Sequence, residues 1–250
     1  MKREIIITAD GSTTIHIPEW NEQYHSKHGA IQEAYHVFIK HGLNFFYDEY
    51  CHSELVSESH PEDVTPVIEA SKNENNSLSI LEIGFGTGLN AFITLFEAEK
   101  LNLKIDYCGV EGYPIALNEA EKLNYAAEIN ESDKIFKEIH NVSWEVAHDI
   151  TPQFSLTKQE KFFDTIEDEN VFNIIYFDAF GARVQPELWT EAIFQKMYKA
   201  LKENGVLVTY AAKGSVRRAM QAVGFLVEKL PGPPGKREML RATKHSRRIL

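Results

Sequence analysis

The sequence predicts an α/β fold: a parallel sheet covered by helices on both faces and finished by an antiparallel hairpin. Three observations predict it. From Leu78 onward, short apolar runs alternate with stretches of helical periodicity. A Gly-x-Gly-x-Gly turn (Gly84, Gly86, Gly88) joins the first run to a helix. The last two runs are separated only by Pro231-Gly232-Pro233-Pro234-Gly235. Parallel neighbours need a long crossover, which the helical stretches supply, whereas a short turn-rich link makes an antiparallel pair.

In chain order, residues 1–50 form an N-terminal extension expected to pack on the domain that follows. Ile5-Ile6-Ile7-Thr8 and Thr13 to Ile17 read as strands about an Asp10-Gly11-Ser12 turn, a small hairpin. Ile31, Ala34, Tyr35, Phe38 and Ile39 recur at helical spacing, which predicts a helix over Ile31 to Leu43 ended by Gly42. Residues 51–77 change abruptly to Ser, Glu, Pro and Asn and read as an inserted polar loop with no assigned function. The main domain is residues 78–250. Strands are expected at Leu78–Ile83, Ile105–Val110, Ser143–Ala147, Phe172–Phe177 and Val206–Tyr210, with helices at Leu89–Lys100, Ile115–Ala126, Pro186–Lys202 and Ser215–Val223. Gly224–Glu228 and Glu238–Ala242 supply the closing hairpin. Five parallel strands plus a C-terminal antiparallel hairpin resemble the Rossmann-like, seven-stranded sheet of class I S-adenosylmethionine (SAM)-dependent methyltransferases. A plain dinucleotide-binding domain would continue with another strand–helix crossover.

Composition narrows the class. The 250 residues are 43% hydrophobic and 25% charged, ordinary for a soluble globular chain. No apolar run approaches the roughly 20 residues needed to span a bilayer, and the first ten residues carry no signal-peptide core. A cytoplasmic location with no membrane partner is expected. The two cysteines, Cys51 and Cys108, sit in no metal-ligand spacing, so neither a metal site nor a disulfide framework is expected. The net charge is -11, yet from Leu201 onward 11 basic residues face 3 acidic ones, leaving +8 there and -19 on the rest. Such asymmetry can place a positive face on an acidic protein and attract a polyanion; ordinary solvated lysines are the alternative.

The chemistry-bearing residues cluster at strand ends. In Leu81-Glu82-Ile83-Gly84-Phe85-Gly86-Thr87-Gly88-Leu89-Asn90, a strand runs through the glycine turn into a helix whose N-terminus favours an anionic group. The alternating glycines, with Glu82 two residues before them, differ from the Gly-x-Gly-x-x-Gly of a pyrophosphate site. An acid there can reach the α-amino group of a methionine-derived cofactor, so Glu82, Gly84, Phe85, Gly86, Gly88 and Asn90 are candidate cofactor residues. Glu111, at the second strand's tip, is a candidate for the ribose hydroxyls. Asp149, after the third expected strand, is a candidate partner of the adenine amino group. Asp178 ends the fourth strand and is the candidate catalytic residue, able to orient or deprotonate an amine nucleophile as well as contact the cofactor. Helix capping is the plainer reading of that aspartate.

These residues, with Tyr24-His25-Ser26, Glu33-Ala34-Tyr35-His36, Phe177-Asp178-Ala179-Phe180, Pro186-Glu187-Leu188-Trp189, Ala212-Lys213-Gly214-Ser215-Val216-Arg217-Arg218 and Gly235-Lys236-Arg237-Glu238-Met239, make the chain resemble a known family. It is similar to the methyltransferase half of the MnmC proteins and to the stand-alone MnmD form. The resemblance covers nearly the whole chain except the polar insertion. It implies SAM-dependent N-methylation of 5-aminomethyl-(2-thio)uridine at the tRNA wobble position. It further implies that Asp178 holds the aminomethyl nitrogen and that Tyr24, Ser26 and Glu33 belong to a leader stretch closing over the cofactor. Lys213, Arg217, Arg218, Lys236 and Arg237 match basic positions near tRNA phosphates. Bifunctional relatives carry a flavin-dependent oxidase after this part. This chain stops at Leu250, so a separate FAD-dependent oxidase or another enzyme is expected to supply the aminomethyl precursor. A methyltransferase for a small amine or a protein, and a non-catalytic nucleotide- or RNA-binding module, remain open alternatives. An NAD-dependent oxidoreductase is disfavoured by the glycine spacing.

Overall fold

The computed structural model describes residues 2–51 and 76–245, so the polar insertion expected over 51–77 lies almost wholly outside the described residues. At the N-terminus, β1 (Glu4–Ile7), β2 (Thr13–Ile17) and β3 (Glu22–Gln23) form a small antiparallel sheet. Asp10 closes the β1–β2 turn by accepting from the Thr8 and Ser12 hydroxyls. The chain then enters α1 (Ala30–Ala34), which continues directly as a π-helix from Tyr35 to Asn44. Gly42 does not end this helix. It lies inside it, where a Cβ would come within 3.1 Å of the Tyr176 and Val208 side chains, so glycine here permits close packing on the sheet.

The main sheet is built from β4 (Ser77–Ile83), α2 (Leu89–Lys100), β5 (Lys104–Glu111), three short helices α3 (Leu117–Ala120), α4 (Tyr125–Glu128) and α5 (Asp133–Asn141), then β6 (Ala147–Thr151), β7 (Phe154–Glu160), β8 (Phe172–Phe177), α6 (Glu191–Ala200), β9 (Leu201–Thr209), α7 (Gly214–Ala222), β10 (Leu226–Pro231) and β11 (Glu238–Thr243). Its order is β10-β11-β9-β8-β4-β5-β7-β6, with β9, β8, β4, β5 and β7 mutually parallel. The C-terminal hairpin joins one edge through β11, antiparallel to β9.

Among the described residues the sheet therefore has eight strands where seven were expected, and the third parallel strand is not the one read from the sequence. The stretch Ser143–Ala147 is mostly a turn, with Glu145 in the left-handed region at φ 65°. β6 starts at Ala147 and turns tightly into β7, so it can only lie antiparallel to it, as an added edge. β7 buries Phe154, Leu156 and Lys158 on one face and alternates with Ser155, Thr157 and Gln159. Its polar face and the lysine at an apolar position hid it. The helix expected over Ile115–Ala126 is likewise two short helices, and α5, which buries Phe136 and Ile139, was not anticipated.

Strand alternation feeds two cores. Ile80, Ile174, Tyr176, Val206 and Val208 meet α2 and the N-terminal helix, whereas Leu81, Ile83, Ile175, Phe177 and Leu207 meet α6 and α7. Each such side chain contributes about 1.5–3 kcal/mol on burial, and the result is a rigid frame whose strand ends converge on one rim. No helix among the described residues is long and apolar enough to cross a membrane.

Candidate cofactor and substrate site

A cavity of about 300 Å³ opens at the carboxyl ends of the parallel strands, where ligands of open α/β sheets bind. Its floor is the glycine turn after β4. Gly84 and Gly86 adopt φ of 88° and 50°, and a Cβ on Gly84 would lie 2.7 Å from the Asp178 carbonyl oxygen. The Gly84 and Phe85 amides both donate to Val110 O at 3.0 Å, fixing the turn against the end of β5. Glu111 and Tyr113 line one side, Phe162 to Asp164 after β7 the next, and Asp178 to Phe180 after β8 the other. Tyr210 and the segment Trp20, Gln23, Tyr24 and His25 close the far wall.

The acids have distinct environments. Glu111 accepts from the Gly86 amide at 3.0 Å and the Tyr113 amide at 2.9 Å; burial raises its carboxyl against these donors. Glu82 does not line the cavity. Strand alternation turns it to the α2 side, where it is fully buried and accepts from Asn90 Nδ2 and Tyr107 OH, both at 2.8 Å. Burial holds this carboxyl well above the usual range. Asn90 stands between the two acids, its Nδ2 also donating to Asp178 Oδ2 at 2.9 Å, while its buried Oδ1 meets no donor. Asp178 is anchored by its amide on Ile83 O at 2.9 Å. Burial first, then nearby Glu33, pushes its carboxyl up to about 7 against the opposing pull of Asn90 and Lys236.

Of the leader residues, Tyr24 lines the cavity, whereas Ser26 and Glu33 support it from behind. The Ser26 amide donates to Glu33 Oε2 at 2.8 Å, and Glu33 Oε1 accepts from Lys236, whose ammonium lies 3.7 Å from the Tyr210 ring centroid. Phe85 packs under the turn against Gly109, His140 and Trp144, and Gly88 caps α2 at φ 71°. His25, to which the sequence assigned no role of its own, lines the cavity with Nε2 2.7 Å from Thr87 Oγ1 and Nδ1 3.9 Å from Asp178 Oδ2. Burial pushes this imidazole down to about 4, so at neutral pH the His25–Asp178 contact joins a neutral ring to an acid and is not an ion pair.

Asp149 is not in the site. It lies exposed on the edge strand β6 and is absent from the cavity wall, because the strand it was expected to follow is not the one that enters the sheet. Asp164, after β7, lines the cavity instead. The signal was an acid behind Phe162-Phe163 at the end of an alternating run. The basic residues also divide. Lys236, Arg241 and Lys244 are turned inward, Arg241 onto Glu228 and the Phe45 ring and Lys244 onto Leu201 O and Asn170. Lys213, Arg218 and Arg237 are exposed, and Arg217 is half-buried.

Residues 114–245 match a family model described as S-adenosyl-L-methionine-dependent methyltransferase. Among curated proteins, the tRNA 5-methylaminomethyl-2-thiouridine biosynthesis bifunctional protein MnmC of Hydrogenovibrio crunogenus is 25% identical over 88% of this chain and 31% of its own length. Its namesake in Cupriavidus metallidurans is 25% identical over 94% of this chain and 33% of its own. The chain thus spans about a third of these relatives. Among solved structures, MNMC2 from Aquifex aeolicus superposes with a TM-score of 0.72 at 23% identity, covering 98% of this chain and 71% of that one. Spermidine synthase from Thermotoga maritima gives 0.51 at 14% identity, over 98% and 72%. Both likenesses concern the fold.

Proposed function

The chain belongs to the S-adenosyl-L-methionine-dependent methyltransferases, and on that premise we propose that it methylates the amine of 5-aminomethyl-(2-thio)uridine at the wobble position of tRNA, giving 5-methylaminomethyl-(2-thio)uridine. One observation carries the reading: a buried acid, Asp178, held by Asn90 on the cavity wall with its carboxyl raised to about 7. An acid so placed suits a substrate that is an amine. The similarity to MnmC proteins along nearly the whole chain supplies the tRNA nucleoside.

The residues present fit the cofactor. The Gly84 and Gly86 wall allows close approach, Glu111 and Asp164 offer acceptors for hydroxyl and amino groups, and Asn90 Oδ1 is a buried acceptor without a donor. When bound, S-adenosylmethionine supplies an electrophilic methyl group on a sulfonium centre. Asp178 takes a proton from the substrate ammonium, leaving the nitrogen lone pair free to react. Asn90 holds the carboxylate, and the aromatic wall of Tyr24, Phe180 and Tyr210 excludes water, which strengthens that proton transfer. Residues 1–50 act in this scheme as an extension that completes the cavity, and no function is assigned to the 51–77 insertion. Lys213, Arg217, Arg218 and Arg237 meet the phosphates of a cytoplasmic tRNA, and a separate FAD-dependent oxidase or another enzyme supplies the aminomethyl group.

The test is transfer from labelled cofactor to tRNA bearing 5-aminomethyl-uridine. Label in that nucleoside is expected. Label only in small amines or protein, with tRNA unlabelled, would replace this substrate.

A further inference from the structure

We propose that His25 is a positioning residue for Asp178: its Nδ1–H faces Oδ2 and keeps the carboxylate turned so that Oδ1 meets the substrate amine. This rests on Asp178 acting as acceptor of the amine proton. Three buried groups in a row determine which imidazole nitrogen carries the hydrogen. Tyr125, fully buried, donates its hydroxyl to Thr87 Oγ1 at 3.2 Å, and burial keeps that phenol protonated. Thr87 has one proton of its own, and His25 Nε2 lies 2.7 Å from its oxygen. The arrangement that pairs all three groups sends the Thr87 proton to Nε2, so Nε2 accepts. A neutral imidazole then carries its hydrogen on Nδ1. That nitrogen is 3.9 Å from Asp178 Oδ2. Hydrogen bonds of a catalytic group are commonly long before substrate binds and tighten afterwards.

The second donor makes the arrangement specific. Asn90 Nδ2 also meets Oδ2, at 2.9 Å, so both protein donors address one oxygen. Among the described residues no donor is recorded on Oδ1, and Asp178 lines the cavity. The His25 backbone is fixed by its amide, which donates to Thr14 Oγ1 at 3.1 Å, and the ring meets Tyr125 edge-on at 6.2 Å. The other charged or titratable groups facing this pair are Glu33 and Asp10 from the N-terminal segment, Lys236 from the hairpin, Glu82 through Asn90, and Tyr210. Lys236 is paired with Glu33, and no cation is recorded against Asp178 itself among the described residues. Neutral donors, His25 and Asn90, therefore carry the positioning.

The experiment combines histidine ¹⁵N spectra of the apoenzyme with the pH dependence of kcat and KM in two variants. An asparagine at position 25 keeps a donor where Nδ1 stands; a glutamine places it where Nε2 stands. The expected spectrum shows His25 as the neutral Nδ1–H tautomer. In His25→Gln, kcat at pH 7 falls about fivefold, the loss of ionised carboxylate when a group near 7 rises by one pKa unit, its acid limb moves to higher pH, and SAM affinity stays within about twofold. His25→Asn restores most of kcat. An Nε2–H tautomer, or equal losses in both variants, overturns the proposal. Should both variants misfold, Tyr125→Phe keeps His25 and removes the outermost donor: a mixture of tautomers is expected, and an unchanged spectrum overturns the proposal. The tautomer is read without substrate, so failure of wild-type enzyme to methylate tRNA would refute the substrate assignment and not the tautomer.

Discussion

Asp178 owes its properties to what surrounds it more than to its own chemistry. Burial and the Glu33 charge raise its carboxyl to about 7, while Asn90 and Lys236 pull it back. A base that must be ionised to accept a proton works above its pKa, so activity should rise with pH through about 7 and fall below it. Asp178→Asn keeps the size and the Asn90 contact region but cannot take a proton. Its kcat is expected to drop by about 10²–10⁴-fold, the usual worth of a general base, with cofactor affinity by calorimetry nearly unchanged. A variant with full activity, or with the same acid limb as wild type, would remove Asp178 from the chemistry. Asp178, Glu111 and the glycines could be read from one chain because each follows an apolar strand directly. The roles of His25 and Asn90 could not, since they arise from contacts across 62 and 88 residues.

Among the elements, β7 decides how the cavity is walled. The lysine at 158 sits where an apolar residue was looked for, and its ammonium is absorbed by His140 O and the Trp144 ring. Local pattern therefore pointed to Ser143–Ala147, and the hairpin turn that reverses β6 carried no glycine or proline pair to betray it except Pro152. The parallel strands β4, β8 and β9 were readable because strands buried on both faces are nearly continuous apolar runs, and β5 because its buried Ile105, Tyr107 and Val110 recur along it. The assignment has a direct consequence. Asp164→Ala should weaken SAM binding about tenfold or more, as loss of a hydrogen bond to a charged acceptor does, while Asp149→Ala should leave it unchanged; calorimetry giving the opposite order would contradict the wall as described. On α7, Arg217 and Arg218 are offered as phosphate partners. Their double alanine variant should lower the salt dependence of tRNA binding by about 0.7–0.9 for each phosphate left without its arginine, and an unchanged slope in a binding titration would mean the arginines are only solvated.

At the scale of the molecule, the N-terminal segment and the C-terminal hairpin meet over the sheet. Lys236 reaches Glu33, His36 bonds Pro231 O, and Arg183 holds the Trp20 and Asn21 carbonyls on the other side of the cavity. The two ends of the chain are thus part of one site, which no single stretch of sequence displays. The +8 of the C-terminal fifty residues is also less than it looked, because several of those cations serve these internal contacts. Among the described residues, Lys213, Arg218 and Arg237 stay exposed and Arg217 half-buried. The central claim, methylation of an aminomethyl-uridine in tRNA, is tested most directly by nucleoside mass spectrometry of tRNA from cells lacking this protein. Accumulated 5-aminomethyl-(2-thio)uridine with loss of the 5-methylaminomethyl form is expected. An unchanged content of the methylated nucleoside, in cells with no second enzyme of this activity, would contradict it.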